Sequence, residues 1–169
     1  MLFYARSDSV EKDYFVKKVL LEDVVHTAIM NYMDSLIQKK ISLDVYNLEN
    51  YVYIDEKWIT FIMCQVLQNS IKYLNKPEKV IKIHSENNKN NVVLVIEDNG
   101  EGILDHDLPR VFEYGFTGTD RQKQYSTGIG LYLCKKLCNK MNLDIKIESQ
   151  YKKFTKVKII FPKTNLYRQ

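Results

Sequence analysis

Three short segments hold the residues whose types and spacing suit ligand chemistry. The first is Gln65-Val66-Leu67-Gln68-Asn69-Ser70-Ile71-Lys72-Tyr73. On a helix, positions three and four apart are neighbours, so Gln65, Asn69, Lys72 and Tyr73 form one polar stripe opposite a strongly apolar face. An asparagine carbonyl is a hard oxygen donor that suits Mg2+, which keeps waters and phosphate oxygens as its other ligands. A lysine one turn on can reach a phosphate. Taken alone, the stripe reads more simply as a solvated helix face. The second segment, Glu97-Asp98-Asn99-Gly100-Glu101-Gly102-Ile103, follows the apolar run Val92 to Ile96. Its glycines permit tight turns and close approach of a ligand. A carboxylate at a strand end can accept a hydrogen bond from an exocyclic amine such as that of adenine; an ordinary Asn-Gly turn has the same sequence. The third, Ser126-Thr127-Gly128-Ile129-Gly130-Leu131, places glycines at a loop-to-helix junction. Backbone N–H groups at the positive end of a helix make a phosphate site. The segment is not a P-loop, because the Gly-x-x-x-x-Gly-Lys pattern is absent.

The elements that must position these segments can be read from periodicity. Phe15 to Val19 is short and β-prone. Leu21 to Lys40 places Val24, Val25, Ala28, Ile29, Tyr32, Met33, Leu36 and Ile37 at helical spacing. Ile41 to Tyr46 and Tyr51 to Ile54 read as strands. Asp55 is an N-cap for a helix from Glu56 to about Leu74, which carries Trp58, Ile59, Ile62, Met63, Val66, Leu67 and Ile71, with Pro77 beyond its end. Val80 to Ser85 and Val92 to Glu97 are strands joined by the polar loop Glu86 to Asn91. Pro109 to Thr127 is irregular. A helix resumes at Gly128, and Asp144 to Ser149 with Thr155 to Phe161 form a closing hairpin. Strands mixed with three long helices, and adjacent strand pairs of antiparallel appearance, define an α+β two-layer sandwich with a mixed sheet.

Bulk properties agree with one domain. The chain has 169 residues, 45% of them hydrophobic and 27% charged, so it can bury a core and is not broadly disordered. There is no internal repeat and no Gly/Ser linker. The net charge of +4 rests largely on Lys39-Lys40, Lys135-Lys136 and Lys152-Lys153, interspersed with Asp and Glu. That distribution argues against a nucleic-acid partner. The N-terminus lacks a secretory signal, and no run approaches the roughly 20 apolar residues of a spanning helix. Direct membrane insertion is not expected. Cys64, Cys134 and Cys138 are too few for a disulfide framework and read as reduced core or boundary thiols.

In this order the three segments resemble the GHKL ATP-binding superfamily and, within it, the catalytic domain of bacterial sensor histidine kinases. Asn69 with Lys72 and Tyr73 looks like the family's N box, and Asp98 to Gly102 its G1 box. Phe112-Glu113-Tyr114-Gly115-Phe116 looks like the F box, and Gly128 to Leu131 the G2 box. The likeness runs from about Phe15 to Lys163. Val111 to Thr119 with Ser126 to Cys134 is similar to antibiotic-peptide-sensing kinases that pair with ABC transporters.

The resemblance implies ATP and Mg2+ as cofactors and the Bergerat-type sandwich as fold. By analogy, Asn69 holds Mg2+ on the phosphates, Lys72 contacts phosphate, and Tyr73 lines the pocket. Asp98 binds the adenine amine with Gly100, Gly102 and Ile103 around it. Leu104 to Thr127 forms a mobile ATP lid that includes Phe112, Arg121 and Thr127, with Arg121 a phosphate cation and Arg110 a weaker candidate. Gly128, Ile129, Gly130 and Leu131 present backbone amides to the phosphates. Thr155 sits where family members carry a last pocket Thr or Ser.

Two departures bear on function. The family carries its phosphoacceptor histidine on a separate dimerisation helix pair, and none of His26, His84 or His106 sits in such a motif. Met1 to Asp13 is expected to be the tail of that helix, and residues 14–169 the catalytic domain of a larger membrane-anchored kinase. Gln65 stands where hydrolysing members place a glutamate, and glutamine cannot act as a general base. The expected activity is therefore donation of the γ-phosphoryl group to a histidine on the missing domain, for relay to a response regulator. Two other readings are an ATP-binding regulatory module without transfer activity and a GHKL ATPase or anti-sigma-type serine kinase. Gln65 counts against the last.

Overall fold

The computed structural model describes residues 14–118 and 128–163. The proposed dimerisation tail, Met1 to Asp13, lies outside them, as do Arg121 and Thr127. Strand β1 (Lys17–Leu20) runs directly into helix α1 (Leu21–Asn31), then α2 (Met33–Gln38), β2 (Ser42–Tyr46), β3 (Tyr51–Ile54), α3 (Glu56–Lys72), β4 (Val80–Asn87), β5 (Asn91–Asp98), a 3-10 turn at Leu108–Arg110, α4 (Gly130–Lys140), β6 (Asp144–Gln150) and β7 (Phe154–Pro162).

Five strands form one mixed sheet in the order β2-β4-β5-β7-β6, and β1 and β3 pair in a separate antiparallel ribbon. Helices cover one face. Inward side chains of the sheet (Ile81, Ile83, Leu94, Ile96, Ile145, Val157, Ile159) share a buried core with Ile62, Met63, Val66 and Leu67 of α3 and Cys134 and Leu137 of α4. The α+β sandwich expected from the sequence is thus the observed one.

The details depart from periodicity in four places. The first helical stretch breaks at Tyr32, which leaves the helical region (φ −116°, ψ 15°) and bonds back to the Ile29 carbonyl at 3.1 Å. The break lets Leu36 bury while Ile37 stays exposed. The first strand starts two residues late, because the Phe15 N–H donates to the Asp55 carboxylate at 2.9 Å rather than to a ladder. β2 and β3 do not pair: β2 runs parallel to β4, in register from Ser42↔Val80 to Tyr46↔His84. The β4–β5 loop is shorter than its composition indicates, since Asn88 Oδ1 accepts from the N–H groups of Asn90 (3.1 Å) and Asn91 (2.8 Å), so that both strands extend into the polar run.

Helix α3 is the element that matters most for the site. Asp55 caps its start, accepting from the N–H groups of Lys57 and Trp58. The Lys39 ammonium donates to the Ile71 carbonyl at 2.7 Å near its far end, where orphan carbonyls need donors. Cys134 and Cys138 are buried, and burial pushes the Cys138 thiol up to about 12, so these are inert core groups.

Candidate functional site: a cleft along helix α3

The last two turns of α3 form one wall of a cleft enclosing about 1080 Å³, open solvent at its mouth included. α3 acts as a ruler along it. At one end Gln65 approaches the start of α4: a Cβ placed on Gly130 would stand 2.7 Å from Gln65 Oε1. At the other end the Tyr73 carbonyl accepts from the Glu101 N–H at 3.1 Å, joining α3 to the turn after β5. Eight residues separate Gln65 from Tyr73, about 12 Å at 1.5 Å per residue. Asn69 lies midway and lines the cleft.

The Tyr73 end is built by strand ends in register. Asp98, last residue of β5, pairs with Thr155 of β7, which pairs with Ser149 of β6. Asp98 and Thr155 both line the cleft. The Asp98 carboxylate is 4% exposed and accepts from the Gly100 N–H at 2.9 Å and from the Ser70 hydroxyl. Burial pushes its pKa up to about 6, against the downward pull of those two hydrogen bonds. A buried carboxylate that still ionises at neutral pH is a strong acceptor facing a largely apolar cavity. Asn99 holds the turn to the start of β4, accepting from the Val80 N–H and donating to the Glu78 carbonyl, both at 2.9 Å. Gly102 has φ +72°, and a Cβ there would collide with the Gln150 backbone. Its glycine is therefore required by the β6–β7 turn packed against it, whatever ligand approaches from the other side.

At the opposite end, Gly128 (φ +67°) packs so closely on the F-box segment that a Cβ would meet the Gly115 carbonyl carbon at 2.5 Å and the Phe116 nitrogen at 2.7 Å. The Gly115 N–H also donates to the Gly128 carbonyl at 3.1 Å. α4 then begins with Ile129 at its N-cap, whose side chain makes no capping hydrogen bond. Backbone amides at a helix start that lines a cleft suit an anion.

The cleft thus gathers Asn69, Tyr73, Asp98, Gly102, Ile103, Gly128, Gly130, Leu131 and Thr155 from the sequence-derived set. Gln65 stands beside Gly130, whose Cβ position is 2.7 Å from Gln65 Oε1, while Gly100 and Ile129 shape the turns on either side. Lys72 is not brought to the wall; its ammonium lies 5.6 Å from the Tyr73 ring centroid. Phe112 packs against the core under Lys135, and Phe116 lines the cleft in its place with the Arg110 guanidinium over its ring at 4.4 Å. Ser70, Asp107, Phe116 and Tyr151 also line the cleft; the first three fall within the 65–73, lid and F-box segments, and Tyr151 lies outside every motif. None of the three histidines lines the cleft. Among the described residues no group of three or more His, Cys, Asp or Glu could form a metal cage. A single amide oxygen at Asn69 fits Mg2+ held mainly by phosphates and water, and not a dedicated all-protein metal site.

A cleft with a buried carboxylate at one end and a glycine-flanked helix start at the other, on an α+β sandwich, suits a ligand that carries a hydrogen-bond donor and an anionic group. Residues 54–165 match the family model described as histidine kinase-, DNA gyrase B- and HSP90-like ATPase, and the chain belongs to that family. It is 37% identical over 165 residues to sensor protein BceS of Halalkalibacterium halodurans, and 36% identical over 166 residues to sensor protein kinase GraS of Staphylococcus aureus. Each alignment covers 97% of this chain but 49% and 47% of the relative, so the chain spans about half the length of those curated proteins. Two solved structures share the fold: the catalytic domain of histidine kinase ThkA (TM-score 0.74, 20% identity, 88% of this chain and 96% of that one) and the Acinetobacter baumannii histidine kinase AdeS (TM-score 0.76, 22% identity, 95% and 75%). Among the described residues no helix is long and apolar enough to cross a membrane.

Proposed function

We propose that the cleft binds MgATP and presents its γ-phosphoryl group to a histidine on a dimerisation domain outside this chain, for relay to a response regulator. The observation that carries this reading is the 65–73 stretch of α3, which sets Asp98 at one end, Asn69 midway and Gly130 at the other. That order suits a purine, a metal-bridged polyphosphate and a phosphate-binding helix start.

In this reading Asp98 accepts from the adenine amine and Tyr73, Ile103 and Thr155 line the nucleoside end. The Asn69 amide oxygen would hold Mg2+, which supplies charge neutralisation on the phosphates when bound. Amides of Gly130 and Leu131 face the phosphates, and Arg121 is the cation proposed for them, since Lys72 stands off the cleft wall. Phosphoryl transfer asks mainly for positioning and charge stabilisation, which these groups provide without a general base of their own. Gln65 in place of a carboxylate keeps water from being activated beside the γ-phosphate. The resemblance of Val111 to Thr119 and Ser126 to Cys134 to antibiotic-peptide-sensing kinases supports a parent protein anchored in the bacterial membrane, with this domain in the cytoplasm and an ABC transporter as partner.

The test is phosphotransfer from labelled ATP. The parent kinase should form phosphohistidine, and this chain alone should label none of His26, His84 or His106. ATP binding without phosphohistidine in the parent would leave a regulatory nucleotide module, and rapid phosphate release by the chain alone would point to an ATPase.

A further inference from the structure

The β6–β7 turn, residues 151–153, is pinned to the Asp98 end of the cleft. The Lys152 N–H donates to the Glu101 carbonyl, and the Lys153 N–H donates to the Gln150 carbonyl at 3.0 Å. The Lys76 ammonium donates to the Lys152 carbonyl at 2.8 Å. Ser149 Oγ accepts from the Ile103 N–H at 2.8 Å and donates to the Phe154 carbonyl at 2.7 Å. Gly102 sits against the Tyr151 backbone, with its Cβ position 2.9 Å from Tyr151 Cα. The four contacts that reach outside the hairpin, to Glu101, Lys76, Ile103 and Gly102, therefore hold the backbone that carries Tyr151.

Tyr151 is also unusual among the exposed residues. Of the large hydrophobic side chains that the described residues leave exposed, it alone lines the cleft, at 38% exposure. An aromatic residue left partly wet in the lining of the cleft, with the Lys152 ammonium 5.5 Å from its ring centroid and its backbone held at these points, is preorganised for a flat partner. Gly102 packs on its backbone, and the paired strand residues Asp98 and Thr155 line the same cleft.

We propose that Tyr151 is a nucleoside-contacting residue, its ring packing on the adenosine moiety of the bound nucleotide and setting affinity for it. This rests on the ATP-binding reading above and adds a wall to it, from an element that none of the sequence motifs includes. Stacking of an aromatic side chain on a base is sequence-tolerant, because every base has a π-face. Tyr151 therefore sets affinity for purine nucleotides, while Asp98 sets the choice among them.

Calorimetric titration of the chain with MgATP and MgADP tests this. Tyr151→Leu and Tyr151→Ala should each weaken both nucleotides by about 10-fold. The loss should be equal for the two, because the contact is with the moiety they share. Tyr151→Phe, which keeps the ring, should lose far less. Tyr151→Leu is the deciding variant where Tyr151→Ala lowers the melting temperature. A Phe variant as weak as Leu, or a loss confined to MgATP, overturns the proposal. Tyr151 variants with wild-type affinity beside a weakened Asp98→Asn also overturn it, and leave the nucleotide pocket standing. If Asp98→Asn binds like wild type as well, the pocket itself is wrong.

Discussion

Gly130 and Gln65 meet at the head of the cleft, where a Cβ on Gly130 would stand 2.7 Å from Gln65 Oε1. The colliding atom is the far end of a flexible side chain, which can swing aside. Gly128 is the opposite case: its close neighbours are the backbone of Gly115 and Phe116, and its φ is +67°. Gly130→Ala should therefore leave the melting temperature nearly unchanged while weakening MgATP by about 5-fold, near 1 kcal/mol, through the displaced Gln65 and the crowded helix start. Gly128→Ala should destabilise by about 2 kcal/mol or more, from the left-handed backbone and the clash together. Thermal unfolding and calorimetry on the two variants check this, and equal melting temperatures would contradict it.

Gln65 also invites a gain of function. Gln65→Glu puts a carboxylate at the same place beside Gly130, where it can accept a proton from water. General-base assistance is worth about 100-fold or more when well placed. Even imperfect placement should raise steady phosphate release by the isolated chain about 10-fold. Unchanged release with intact MgATP affinity would show that residue 65 is not aimed at the attacking water.

Much of the site was legible in the sequence because it is local. Asn69 and Tyr73 are one turn apart on one helix, and Asp98 to Gly102 is a single turn, so spacing alone presents them together. What spacing could not show was anything carried by tertiary contact. The break at Tyr32 has no glycine or proline to announce it, and apolar residues recur on both sides of it. The β2–β4 pairing spans the whole of α3, and nothing in either strand names its partner. Phe112 and Phe116 have the same chemistry, and only packing decides that one faces the core and the other the cleft. Gly102 was read as making room for a ligand, but the closest atoms behind it belong to Gln150 and Tyr151.

Asp55 separates stability from binding. It is 3% exposed, caps α3 through the N–H groups of Lys57 and Trp58, and holds the Phe15 N–H. Asp55→Ala removes the acceptor of all three hydrogen bonds and should cost about 2 kcal/mol. For a domain of this size that is a fall of roughly 4–8 °C in melting temperature. Asp55 is at the far end of α3 from the cleft, so MgATP affinity measured well below the transition should not change. A variant as stable as wild type would mean that solvent replaces the cap at no loss.

Asp98 combines both properties with opposite signs. Burial raises its pKa from 3.8 to about 6, so between those values the folded chain binds more protons than the unfolded one. Its contribution to stability is therefore fully present below about 3.8 and is lost as pH rises through about 6. At pH 7.5 the ionised carboxylate strains the empty fold, by a few kcal/mol at most. Asp98→Asn keeps an acceptor for the Gly100 N–H and removes the buried charge. The nucleotide-free variant should melt higher than wild type at pH 7.5, and the difference should shrink toward zero near pH 4. Binding runs the other way: the variant loses the charged acceptor for the adenine amine, and wild-type affinity for MgATP should fall as pH drops below about 6. Melting curves at the two pH values and a calorimetric pH series measure both halves. A variant less stable than wild type at pH 7.5 would mean that the Ser70 and Gly100 hydrogen bonds outweigh the burial of the charge.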